Sequence, residues 1–176
     1  MTTGPERTAR PRSRANLERG LYNLADAIKL TKLTRTQIQH MARFGAVKPA
    51  KESHGTGDAM GFDKDNLRAL KLGGELMRLG YSGMLLTRTM SWVTKHQDWP
   101  KVADPTQRQA VAFVVLVFIH QHEDGGIEAI AQFQSSPAVD TTFFWTPSVT
   151  IIALGGLIAE LDTAINEGIG VDDPAV

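Results

Sequence analysis

Apolar positions in the first half of the chain recur at helical spacing, broken by short polar interruptions. In "NLADAIKL" (23–30) Leu24, Ala27, Ile28 and Leu30 form an apolar stripe, and Asn23 stands where an N-cap belongs. A tight turn over 31–34 follows. Thr34 is placed to cap a second helix from Arg35 to about Phe44 that buries Ile38, Met41 and Ala42. Gly45 sits at the left-handed position that ends such a helix, and Lys48-Pro49 starts an extended segment. "KESHGTGDAMGF" (51–62), with three glycines between polar flanks, predicts a short hairpin. "DKDNLRALKLGGELMRLG" (63–80) predicts a helix capped by Asp63, with Leu67, Leu70, Leu72, Leu76, Met77 and Leu79 as its apolar positions. The Gly73-Gly74 pair should weaken that helix by ~1 kcal/mol per glycine relative to alanine.

The second half is patterned differently. Residues 81–99 predict one more helix, capped by Ser82, and "DWPKVADP" (98–105), with two prolines, reads as a linker. "VAFVVLVFI" (111–119) is β-branched and aromatic and predicts a strand covered on both faces. "GGIEAIAQFQ" (125–134) reads as a helix, "SVTIIAL" (148–154) as a strand and "GGLIAELDTAINEG" (155–168) as a helix. The expected class is α+β: a helical front with a hairpin, then a small α/β unit. The expected divisions are a disordered basic arm (1–19), a front domain (20–82), a connecting helix and linker (83–105), a C-terminal α/β dimerisation or effector domain (106–170) and a tail (171–176).

Charge sharpens this division. The 176 residues are neutral overall, but residues 1–80 hold 15 Lys and Arg against 8 Asp and Glu, and residues 81–176 hold 4 against 11. A basic front and an acidic back suggest that only the front faces a polyanion. The absence of cysteine excludes disulfides, thiolate metal sites and a cysteine nucleophile. No apolar run approaches the ~20 residues of a membrane span, and the first residues lack a secretory h-region, so a cytoplasmic location is expected. The arm carries Arg7, Arg10, Arg12 and Arg14, which could touch phosphates, solubilise the chain, or form an organelle address.

The second helix exposes Arg35, Gln37, Gln39, His40 and Arg43, donors of the kind that read base edges in a major groove. Helix, tight turn, helix and glycine-rich hairpin is the order of a winged helix-turn-helix. In that arrangement Lys51 or His54 of the hairpin would lie on phosphate. The segment 21–82 resembles the DNA-binding domain of MerR-type regulators. The likeness rests on Leu30-Thr31, on Thr34 to Ile38 followed by "FGAVKPA" (44–50), on "GFDKDNL" (61–67) and on "LMRLGYS" (76–82). It departs from the family at His40-Met41, where an aromatic pair is usual. Its hairpin offers only Lys51, His54, Met60 and Phe62, and its helical pattern after Ser82 is shorter than the family's long dimerisation helix.

The resemblance implies a transcriptional regulator that binds double-stranded DNA as a homodimer on a two-part operator. It further implies a nucleoid location, room for RNA polymerase contact, and an effector that the sequence does not identify. The implied DNA-binding residues are Thr34, Arg35, Thr36, Gln37, Gln39, His40, Arg43, Lys48, Lys51 and His54. Arg35 and Gln39 would read bases, and Arg43, Lys48 and Lys51 would hold phosphate. The alternatives are an architectural or excisionase-like DNA protein without an effector, and a protein-interaction module on the same fold.

Other motifs favour blander readings. "HQHED" (120–124) could hold a metal but reads better as a polar strand end. "FFWTP" (143–147) reads as core packing, and "ALGGLIAEL" (153–161) lacks the lysine of a phosphate loop. No nucleophile, base and orienter set is legible, so neither an enzyme nor a cofactor is expected.

Overall fold

The computed structural model describes residues 20–52, 60–120, 127–137 and 148–168. The N-terminal arm with its four arginines, His54, the side chains of "HQHED", the "FFWTP" cluster and the final residues lie outside the described residues. The architecture is α+β, with six helices and one three-stranded antiparallel sheet among the described residues. None of these helices is long and apolar enough to cross a membrane.

Helix α1 spans Leu24–Thr31 and α2 spans Arg35–Arg43. Each begins with a reciprocal capping box. Asn23 accepts from the Asp26 amide while Asp26 accepts from the Asn23 amide, and Thr34 and Gln37 exchange the same bonds. Between the helices Lys32 adopts φ 62°, a left-handed state that costs a residue bearing a Cβ about 1–2 kcal/mol. Thr31 is buried on one side of it and Leu33 on the other. Helix α2 ends as predicted. Gly45, at φ 72°, lets the Ala46 amide reach the Met41 carbonyl (2.9 Å) and its own amide reach the Ala42 carbonyl (3.3 Å). Two short antiparallel bridges, Lys51 with Gly61 and Tyr22 with Phe62, close the base of the segment between α2 and the next helix.

Helix α3 (Lys64–Arg78), capped by Asp63, is the central element. Its Gly73-Gly74 pair, expected only to weaken it, is a notch. A Cβ on Gly73 would collide with the sulfur of Met41, and one on Gly74 would stand 2.6 Å from the Leu33 side chain. The α1–α2 unit therefore packs closely on bare backbone here, and a Cβ at either position would make the Met41 or Leu33 side chain shift. Ile38 and Met41 are fully buried at this contact, each worth roughly 1.5–3 kcal/mol of apolar burial.

Helix α4 (Gly83–Thr94) starts at Ser82, whose side chain makes no capping bond, contrary to the sequence reading. Its apolar side (Leu86, Met90, Val93) is buried against α3 and the sheet. The expected linker at 98–105 instead contains helix α5 (Trp99–Ala103), which buries Trp99 and Val102. Pro100 is tolerated because it lies in the first turn, where its missing N–H has no helical partner to lose.

Strands β1 (Phe113–His120), β2 (Ile127–Gln134) and β3 (Ser148–Ile152) form a sheet of order β2-β1-β3, antiparallel throughout. The predicted helix over 125–134 is thus strand β2, and the back half is not a strand–helix–strand–helix unit. In "IEAIAQFQ" the apolar positions fit a helical spacing as well as a strand alternation, and pairing with β1 along its whole length selects the strand. Val114 to Val117 are all buried, so this part of β1 is covered on both faces, as expected.

Helix α6 (Leu154–Gly168) packs on α3 and α1. Buried residues from Tyr22 in the front half to Ile165 in α6 belong to one cluster, so the two halves share a core.

Candidate nucleic-acid interface

Nine residues of α2 divide into two arcs. Ile38 and Met41 are buried, Met41 against the α3 notch at Gly73, while Arg35, Thr36, Gln39 and Arg43 are exposed on the opposite side, with His40 half-buried beside them. A 3.6-residue period gathers these five on one face, because 35, 39 and 43 follow i, i+4, i+8 and 36, 40 and 43 run alongside. Among the described residues Arg35, Thr36 and Gln39 make no side-chain hydrogen bond or ion pair, so their donors face water.

Gln37 does not share that face. It lies on the flank, half-buried, and its Oε1 accepts from the Thr34 amide (2.9 Å) and hydroxyl (3.1 Å). Thr34 itself accepts from the Gln37 amide (3.2 Å). The geometry gives both a capping task, fixing where Arg35 starts the helix, and these bonds leave the Gln37 side-chain N–H groups unused. His40 packs against Phe44, with ring centroids 4.4 Å apart, and the Arg43 guanidinium lies 6.0 Å from the Phe44 ring. Phe44 is 53% exposed, a large apolar ring at the end of this face that the sequence reading placed inside the helix without a role.

Lys48 is exposed, and its backbone is held by a residue that sequence reasoning missed. The Asn66 side chain in the first turn of α3 accepts from the Ala50 amide (2.8 Å) and donates to the Lys48 carbonyl (3.0 Å). It also caps α3, accepting from the Asp63 amide (3.3 Å). The D-x-x-N spacing signals the cap, but nothing local signals the bonds to residues 16 and 18 positions earlier. Lys51 is half-buried, with its backbone paired to Gly61. Phe62, counted among the hairpin's offerings, is fully buried and paired with Tyr22, so it is a core residue. His54 lies outside the described residues.

The charge distribution separates this region from the rest of the front half. From Ala27 to Lys51 the chain holds six lysines and arginines and no acidic residue. That run was legible in the sequence and went unread. On α3, by contrast, three of the four cations are paired, and only the exposed Lys64 in its first turn has no ion pair among the described residues. Arg68 binds Asp65 (2.9 Å) and Asp162 (3.3 Å), Lys71 lies 3.8 Å from Glu160, and Arg78 binds Glu75 (2.6 Å). The Arg78 hydrogen bond holds the Glu75 carboxyl below its ordinary range. These pairs stabilise the fold and contribute no free cation. Those on α2 remain available to an external anion.

Among the described residues the back half presents no comparable site. No group of metal-binding side chains occurs among the described residues. The glycines at the start of α6 do not form an open anion cradle, because the Gly155 amide donates to the Ala112 carbonyl (2.8 Å) and a Cβ there would stand 3.1 Å from the Ala112 backbone. No protein family is matched by the chain, and no curated protein is matched either.

Proposed function

We propose that the chain is a sequence-specific double-stranded DNA-binding protein, with α1, the turn and α2 as its helix-turn-helix and the hairpin closed by Lys51 and Gly61 as its wing. One observation carries the reading: α2 buries Ile38 and Met41, the latter against Gly73 of α3, and turns Arg35, Gln39 and Arg43 to solvent with no hydrogen bond or ion pair among the described residues. Arg35 and Gln39 lie in its N-terminal half, the part that meets base edges when such a helix enters a major groove. Arg43 and Lys48 then serve phosphate. Together with the resemblance of 21–82 to MerR-type regulators, this supports a transcription regulator acting as a homodimer on two half-sites.

Selection of binding sites from a random duplex pool tests the proposal. Arg35→Ala should lose preference at one defined base position, a discrimination of roughly 1–3 kcal/mol, more than it loses total affinity. Unchanged preference would remove Arg35 from base reading. If no salt-dependent binding appears even at ~50 mM salt, the DNA reading itself is wrong.

A specific observation also favours the architectural, excisionase-like reading. Helix α4 has 12 residues, and its apolar side is buried within the monomer rather than left for a long coiled coil. Footprinting separates the two. A single two-part operator supports the regulator, and a cooperative spread over adjacent sites supports the architectural protein.

A further inference from the structure

Five described residues have a positive φ, and four of them are glycines: Gly20, Gly45, Gly80 and Gly83. The fifth is Lys32, the residue between α1 and α2. A long, unbranched cation is a poor occupant of that backbone state, which glycine adopts without hindrance and asparagine tolerates. The Lys32 amide still closes α1 on the Ile28 carbonyl (3.0 Å), and the left-handed conformation of Lys32 then turns the chain out of the helix toward Leu33 and the cap of α2. The turn does not need a lysine. The side chain is exposed and makes no hydrogen bond or ion pair among the described residues.

Both neighbours of Lys32 are fixed. The Thr31 hydroxyl donates to the Ala27 carbonyl (2.6 Å), and Leu33 fills the notch over Gly74. Lys32 is therefore held facing outward, between Lys29 in the last turn of α1 and Arg35 at the start of α2, in the stretch without acidic residues. A cation kept in a strained position, with its direction set by buried neighbours and no partner among the described residues, fits an external anion.

We infer that Lys32 holds a backbone phosphate of the DNA duplex, beside the groove that α2 enters. This rests on the DNA reading of α2. The contact is a phosphate contact and not base reading. It anchors the corner of the two helices and orients α2, and it is indifferent to sequence.

Full-length Lys32→Gly, Lys32→Asn and Lys32→Arg, compared with wild type on a short random-sequence duplex and on a selected site, test it. Lys32→Gly and Lys32→Asn should melt at or above the wild-type temperature. They should bind both duplexes on the order of tenfold more weakly at ~50 mM salt, with the log–log salt slope shallower by about 0.9. Lys32→Arg should keep the wild-type affinity and slope. Two results overturn the inference while leaving the DNA reading intact: wild-type slope and affinity in Lys32→Gly, or an equal loss in Lys32→Arg. A fall of several degrees in the melting temperature of Lys32→Gly would also overturn it, by showing that the side chain serves the fold. Absence of any binding by wild type would overturn the DNA reading, and this contact with it.

Discussion

The sulfur of Met41 occupies the space where a Cβ on Gly73 would stand, so the seating of α2 against α3 depends on a missing methyl group on α3. Two effects oppose each other at Gly73→Ala. Alanine gains about 1 kcal/mol of helix propensity. Forcing a carbon into a filled core costs about 1–3 kcal/mol, and the Met90 sulfur also stands 3.6 Å from that Cβ position. The expected balance is a net destabilisation of ~1 kcal/mol, a drop of roughly 2–4 °C in melting temperature for a chain of this size. Adding Met41→Ala should give a double mutant less unstable than the two single changes predict together, because the new methyl then fills vacated space. A Gly73→Ala protein melting above wild type would show that the notch is slack.

Asn66→Ala should cost about 1–2 kcal/mol, since it removes two hydrogen bonds to the 48–50 backbone at about 1 kcal/mol each while Asp63 still caps α3. Under conditions where the variant stays folded, its DNA binding should weaken and its salt slope become shallower, because Lys48 is no longer held at the edge of α2. Chemical denaturation and a salt series on the same preparation separate the two effects. A stability loss with an unaltered slope would remove Lys48 from the interface.

Asp162 on α6 bridges Arg68 of α3 and Arg108 of the 3₁₀ turn at Arg108–Val111, with both guanidinium groups largely buried. Removing one member of a fully buried network costs ~3–5 kcal/mol, and the partial exposure of Asp162 reduces the expectation for Asp162→Ala to roughly 2 kcal/mol. The midpoint of urea denaturation should fall accordingly, and Asp162→Asn should recover only part of the loss. A change below ~0.5 kcal/mol would mean that water screens the cluster as it does a surface pair.

Burial pushes the Tyr81 phenol above its ordinary value of 10.0, against the smaller opposing effect of its 2.7 Å hydrogen bond to Thr150. The folded state therefore keeps this proton at a pH where the unfolded chain has released it. The stabilisation is complete below pH 10 and is lost as pH rises through the folded-state value. Tyr81→Phe should be less stable than wild type at neutral pH, having lost the bond between the α3–α4 junction and β3. The difference should narrow in alkaline solution. Parallel alkaline melts of the two proteins would detect it, and a gap that widens above pH 10 would contradict the assignment.

The front half was legible because its determinants are local. Asn23, Thr34 and Asp63 announce helix starts, Gly45 announces a stop, and the spacing of Ile38 and Met41 announces a buried face. What escaped notice there depends on partners distant in sequence. Gly73 and Gly74 look like weak points until Met41 and Leu33 arrive, and the capping role of the Gln37 side-chain oxygen shows only once its bond to Thr34 is seen. The candidate face was therefore readable in outline, and its exact membership was not.

The back half was less legible for the same reason. The apolar residues of "IEAIAQFQ" satisfy two periods, and only the register with β1 decides between them. Two prolines in "DWPKVADP" suggested a connector, but Trp99 and Val102 bury enough apolar surface to hold a five-residue helix that would not persist alone.

Helix α6 lies against α1 as well as α3, and this sets an order in time. During synthesis the caps, turn and notch of the front half leave the ribosome long before the last helix exists. At typical elongation rates the delay between Ser82 and Gly168 is on the order of 4–17 s. Through that interval the flank of α3 and the side of α1 that α6 covers stay open to water, so the core of the front half is completed only when α6 has emerged.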